Sequence, residues 1–191
     1  SLWSVTDCNF YEYVSDGMIV DNLNNGDSGD SSIVGCVFTA PSTTGNGVRQ
    51  ISSGGLKLTG NKFNNGGTGY LLDLSDNADT GVLVISGNSF ENASFANIQL
   101  QRQAATTKIF TSVVISGNEF LVSGATASAI YSNNGSDFLY NVAITGNTIQ
   151  LSAVGQAGIL LNYVERYIVS GNEITGFSGG TGIFIGANGS G

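Results

Sequence analysis

The chain has 191 residues, enough for one domain with a substantial core, yet only 10% of them are charged and the net charge is −8. Six lysines and arginines, scattered along the sequence, cannot neutralise a run of phosphates or an anionic bilayer surface, so nucleic acid and membrane are excluded as partners. With no histidine at all, Ser-His-Asp triads, Cys-His pairs and histidine-ligated metals are excluded too, and neither metal nor cofactor is expected.

Read in chain order, two kinds of apolar segment take turns. The first kind appears as WSVTDCNF at 3–10, SSIVGCVF at 31–38, LKLTGNKF at 56–63, LVISGNSF at 83–90, VVISGNEF at 113–120, VAITGNTI at 142–149 and YIVSGNEI at 167–174. Its first and third residues are apolar in every copy except at Ser31, which is the alternation a strand with one buried face requires. In the last five copies a Gly-Asn pair then turns the chain, because both residues tolerate left-handed backbone angles; the first two copies are degenerate, with Asp7-Cys8 and Gly35-Cys36 in its place. A large apolar residue follows two places on, at Phe10, Phe38, Phe63, Phe90, Phe120, Ile149 and Ile174. Each copy therefore reads as strand, two-residue corner, strand.

The second kind lies between these copies and usually starts on glycine or another small residue. It appears as GMIVDN at 17–22, GVRQIS at 47–52, GYLLDL at 69–74, ANIQLQ at 96–101, SAIYSN at 128–133, GILLNY at 158–163 and GIFIGA at 182–187. The corner residues are Cys8, Cys36, Asn61, Asn88, Asn118, Asn147 and Asn172, at steps of 28, 25, 27, 30, 29 and 25 residues. So regular a repeat predicts a solenoid, each unit burying its inner face by stacking on its neighbours. Three short strands per unit predict an all-β, right-handed, single-stranded parallel β-helix of about seven coils, forming one domain over 1–191. The leucine-rich repeat shares the L-x-L-x-x-N-x-L spacing, but it needs helical segments between its strands. Here those segments are rich in Gly, Ser, Thr and Asn.

The recurrent I/V-x-G-N-x-F/I motif resembles the pectate-lyase-like β-helix superfamily, which includes pectin-degrading enzymes, alginate epimerases and phage tailspikes. The resemblance runs from Trp3 to about Ala187. It implies that Asn61, Asn88, Asn118, Asn147 and Asn172 stack as an asparagine ladder. The low charge and the abundance of Gly (28) and Asn (20) are most similar to tailspikes. That likeness implies a segment of a longer protein, extracellular or virion-borne, homotrimeric at full length, with a polysaccharide as partner.

The resemblance places ligands on the face of the second strand run. Its outward positions supply candidate substrate-binding residues Arg49, Gln99, Tyr131, Asn162 and Phe184, and a candidate catalytic acid pair, Asp21 and Asp73, two coils apart with Arg49 between them. Hydroxyl and amide groups interleaved with aromatic rings suit sugar hydroxyls and sugar faces. Glu119 and Glu173 form a lesser pair beside the corner. The loop at 21–30 is rich in oxygen ligands, but Leu23 breaks the order of a calcium-binding loop, so a turn is expected there. Cys8 and Cys36, on stacked corners, would be close enough for a disulfide, but two small buried thiols are the preferred reading. Three functions stay open: glycan recognition with or without cleavage, a complete polysaccharide lyase or hydrolase, and a structural stalk or adhesin.

Overall fold

The computed structural model describes residues 3–21, 31–41, 44–51, 54–64, 66–74, 81–102, 112–132, 139–176 and 179–186, apart from the side chains of Leu74 and Arg102. Most of the 21–30 loop lies outside these residues. Among the described residues there is no helix, which removes the leucine-rich-repeat alternative.

Among the described residues twenty-one strands form three parallel sheets of seven. The first sheet stacks Ser4–Thr6, Ser31–Val34, Leu56–Thr59, Val82–Ser86, Ser112–Ser116, Val142–Thr145 and Tyr167–Ser170. The second stacks Asn9–Tyr11, Val37–Thr39, Lys62–Asn64, Ser89–Glu91, Glu119–Val122, Thr148–Leu151 and Glu173–Thr175. The third stacks Asp16–Val20, Asn46–Gln50, Thr68–Leu74, Ala96–Arg102, Ser128–Ser132, Ala157–Leu161 and Thr181–Ile185. Neighbours within a sheet come from successive repeats, so the chain is an all-β parallel solenoid. The first and last levels have one neighbour each, leaving five coils covered on both sides.

The register follows the motif residue for residue. Val5, Ile33, Leu58, Ile85, Ile115, Ile144 and Val169 are successive partners in the first sheet. In the second, Phe10, Phe38, Phe63, Phe90, Phe120, Ile149 and Ile174 stand in one column. The five phenylalanine rings lie parallel, with centroids 4.7, 4.9, 4.7 and 5.1 Å apart. That separation is the rise between parallel strands, about 4.8 Å, so backbone pairing and ring stacking demand the same spacing.

The corner itself divides its work between two residues. Gly35, Gly60, Gly87, Gly117, Gly146 and Gly171 have φ between 62° and 66°. A Cβ added at Gly60, Gly87, Gly117 or Gly146 would meet nothing, so glycine is required there for its backbone angle and not for space. The asparagine that follows points inward. The Oδ1 of Asn88 accepts from the backbone N–H and the Nδ2 of Asn61, both at 2.9 Å, and Asn88 Nδ2 donates to Leu58 O at 3.0 Å. The same three bonds recur along Asn118, Asn147 and Asn172, each 2.8–3.0 Å long. This buried ladder satisfies backbone donors and acceptors that the corner removes from the sheets.

At the start of the ladder Cys36 N donates to Asn61 Oδ1 at 2.9 Å, whereas Cys8 N reaches only Cys36 Sγ at 3.4 Å. Both thiols are free, with Cys8 exposed and Cys36 buried. Burial pushes the Cys36 thiol up from its ordinary value. In the native protein, iodoacetamide should label Cys8 and spare Cys36 until denaturant is added, as peptide mass spectrometry would show.

Truncating an inner rung strands three partners, while the last rung is half open to solvent. Asn118→Ala should therefore cost about 3 kcal/mol or more, and Asn172→Ala about 1 kcal/mol, in urea-denaturation midpoints. Equal losses at the two positions would mean that the ladder does not hold the corners.

Candidate functional site

The strands of the third sheet begin with a local irregularity that shapes its outer face. In Asn46–Gln50 the two consecutive residues Gly47 and Val48 are both buried, before Arg49 turns outward. A Cβ at Gly47 would lie 2.6 Å from Phe63 Cδ1, and one at Gly69 2.7 Å from Phe90 Cδ1. The phenylalanine column thus fills the space that a side chain would need, which explains why the second run so often begins with glycine.

Beyond that point the strands alternate. One outward row contains Ile19, Arg49, Leu71, Gln99, Tyr131, Leu160 and Phe184 as successive partners. Two residues further on, a second row contains Asp21, Ile51, Asp73, Gln101, Asn162 and Gly186. The candidate residues expected on a single stripe therefore occupy two adjacent rows of the same face. Arg49, Gln99, Tyr131 and Phe184 share the first row; Asp21, Asp73 and Asn162 share the second. Ile51, not Arg49, lies between Asp21 and Asp73, because outward positions recur every second residue and Arg49 is two residues earlier.

The side chain of Arg49 nonetheless reaches across to the second row. Its Nε donates to Asp73 Oδ2 at 3.1 Å, and its Nη2 donates to the same oxygen. On the other side Arg49 Nη1 lies 3.9 Å from Asp16 Oδ2, while Asn46 Nδ2 donates to Asp16 Oδ1 at 2.6 Å. Asp73 Oδ1 accepts from Gln101 Nε2 at 3.0 Å, and Gln99 Nε2 donates in turn to Gln101 Oε1. Thr68 Oγ1 completes the chain by donating to Gln99 Oε1 at 3.4 Å. Both aspartate side chains are 7% exposed, against 32% for the guanidinium side chain. Arg49 is thus set between two nearly buried carboxylates, and both oxygens of Asp73 are engaged.

Towards the other end of the face the character becomes aromatic. Tyr131 meets Phe95 edge to face, with centroids 5.1 Å apart and planes at 73°. Phe95 and Phe184 are 46% and 49% exposed, and Asn162 is half-buried. Asp21 is exposed. The face is therefore a hydrogen-bonded polar platform over the middle coils, continued by aromatic and aliphatic side chains over the later ones.

Sequence reasoning missed a second arrangement on the outer side of the second sheet. Glu91 and Glu119, from adjacent coils, border a shallow hollow of about 260 Å³ with Ser89, Leu121, Thr148 and Gln150. Lys62 Nζ lies 3.2 Å from Glu91 Oε1 across one coil step. Glu119 is the seventh residue of its motif copy and Glu91 directly follows the copy at 83–90, both at outward positions of the strand, so their sharing a face was visible in the repeat. Their diagonal closeness was not, because it depends on aligning Glu91 with Leu121 and Ser89 with Glu119.

No protein-family model, no curated protein and no solved structure matches the chain. Its class is defined by its own geometry, a parallel β-solenoid with an inward asparagine ladder and three periodic outer faces.

Two tyrosines link this region to pH. Tyr13, half-buried, is pushed up to about 12, first by burial and then by the Asp16 carboxylate. Tyr70 is fully buried with its hydroxyl donating to Gln50 Oε1, and burial pushes it well above 10.0. An unfolded tyrosine ionises near ~10, so the folded state favours the neutral phenol. The contribution is complete below about pH 10 and disappears as pH rises through the folded values, towards about 12 for Tyr13. Denaturation midpoints should hold to about pH 10 and fall from there towards about pH 12, and Tyr13→Phe should make that fall shallower.

Proposed function

We propose that the chain is a polysaccharide-recognition β-helix of the pectate-lyase-like kind, most similar to a phage tailspike. In this reading it is extracellular or virion-borne, and homotrimeric in its full-length form. The observation that carries it is the outer face of the third sheet. Side chains there repeat at the strand spacing of ~4.8 Å, close to the length of one sugar residue along a linear polymer. A glycan lying along the solenoid axis could meet one rung per sugar.

The chemistry of the rungs suits that ligand. Gln99, Gln101 and Asn162 offer both donors and acceptors to sugar hydroxyls. Tyr131, braced by Phe95, and Phe184 offer flat apolar surface to the C–H faces of the rings. Because the polar groups already hold one another in place, little side-chain freedom remains to be lost on binding. Recognition ranks ahead of cleavage in this reading. The Asp21 and Asp73 pair remains the candidate for depolymerisation, but Asp73 accepts from Arg49 and Gln101 through both its oxygens, which favours a positioning role over proton donation.

The test is a glycan array probed with the wild-type chain and with the Tyr131→Ala/Gln99→Ala double variant. The variant should lose about tenfold or more in binding, roughly 1.4 kcal/mol, with an unchanged melting temperature. Equal binding by both proteins, or none by either, would put the structural-stalk reading ahead.

A further inference from the structure

We infer that the outer face of the third sheet selects uncharged polysaccharides and rejects polyanionic ones; this inference rests on the glycan-recognition reading above. It is carried by what the face does with its positive charge. Recognition of a uronate or sulfate group needs a cation free to offer its donors, and arginine is the residue whose planar fork suits such groups best. Among the described side chains of this face the one cation is Arg49. Its guanidinium is committed to Asp73, through Nε at 3.1 Å and through Nη2, and flanked by Asp16 at 3.9 Å from Nη1.

The pairing sets two carboxylates, Asp16 and Asp73, against one guanidinium, and a polyanion laid along the face would approach both of them in the region of Arg49. Asp16 and Asp73 are nearly buried, so water screens them less than surface charges, and their repulsion of a ligand carboxylate is correspondingly stronger. Gln99 in the first row and Gln101 and Asn162 in the second are neutral and carry both donors and acceptors, a set matched to hydroxyls. Lys57 and Lys62 belong to the first and second sheets, and Lys62 is paired with Glu91 at 3.2 Å. Neither stands on this face to offset the aspartates.

The experiment uses the chain as it stands on an array of dextran, galactomannan and mannan beside polygalacturonate, alginate, hyaluronate and heparin. Retention of one or more neutral polymers, with no polyanion bound, is the expected result. Neutral-polymer affinity should change less than about twofold between about 50 and 500 mM NaCl, because no ion pair forms with the ligand. Salt-sensitive binding to a polyanion overturns this inference and leaves glycan recognition standing. Retention of no polymer of either class overturns the glycan reading itself, and this inference falls with it.

Two variants test the cause. Asp73→Asn keeps the shape and the amide contact to Gln101 while releasing Arg49. Asp16→Asn removes the second carboxylate and leaves Asp73 in place. With the native circular dichroism spectrum as the criterion of folding, either folded variant should gain tenfold or more in polyanion retention at about 50 mM salt, lost again near 500 mM. If both variants fold and neither gains polyanion binding, the pairing of Arg49 is not what excludes these ligands, and the inference is overturned.

Discussion

Each coil presents its corner amide to the coil before it, and that single interaction sets the frame for everything else. Asn88 Oδ1 takes both the backbone N–H and the side-chain N–H of Asn61, then Asn88 passes the same pair of donors to Asn118. An amide can do this only if successive corners lie directly above one another at hydrogen-bond distance. The first and second sheets flank the corner immediately, so their register is fixed by the same contact. Repeat length varies from 25 to 30 residues, yet the corner columns stay aligned from Cys8 to Asn172. The variation is absorbed in the connections leading into and out of the third sheet.

The phenylalanine column is the packing counterpart of the ladder, and it imposes a constraint of its own. Rings stacked at the strand spacing project towards the first residues of the third-sheet strands, where a Cβ would collide at Gly47 and Gly69. Where the sequence departs from glycine it uses a small residue, Ala129, or in one coil Asn97, which is 1% exposed. Asn97 Nδ2 has no hydrogen-bond partner among the described residues. An amide at this position is a local conflict between packing and hydrogen bonding, set inside a column that is otherwise consistent.

The corner motif was legible because three independent signals coincide there: alternation, a left-handed glycine and a large apolar residue at a fixed offset. The third sheet was harder to read. Gln50 and Ser132 are polar but point inward, Gln50 to meet the hydroxyl of Tyr70, and two consecutive buried residues precede the outward row. Alternation from Val48 to Ile51 therefore looks broken when the side chains do alternate. Membership of the outer face could be read for Arg49, Gln99, Tyr131 and Phe184, but the split into two rows could not. The bond from Arg49 to Asp73 spans 24 residues, and it exists because stacking brings them within reach. No local pattern encodes that register; it is the sum of every connection length between them.

Stacking also explains why the chain carries so little charge. In a parallel solenoid each outward side chain has its counterpart about 4.8 Å above and below, so a repeated lysine or glutamate would place like charges side by side. At that distance two unit charges repel by about 1 kcal/mol in bulk water and about 3.5 kcal/mol at an effective dielectric constant near 20. Charges are tolerated where the next coil supplies the opposite sign, as Lys62 does for Glu91 and Asp73 for Arg49. Elsewhere the outer rows are largely neutral, with aliphatic and aromatic side chains such as Leu160 and Phe184 beside polar ones that hydrogen-bond between coils, as Ser4 does with Ser32 at 2.9 Å. A surface built under that rule is poor in cations, of which the whole chain has six. The constraint that makes the solenoid stable thus also sets the chemistry its faces offer, largely neutral groups repeated at the rise of the coils.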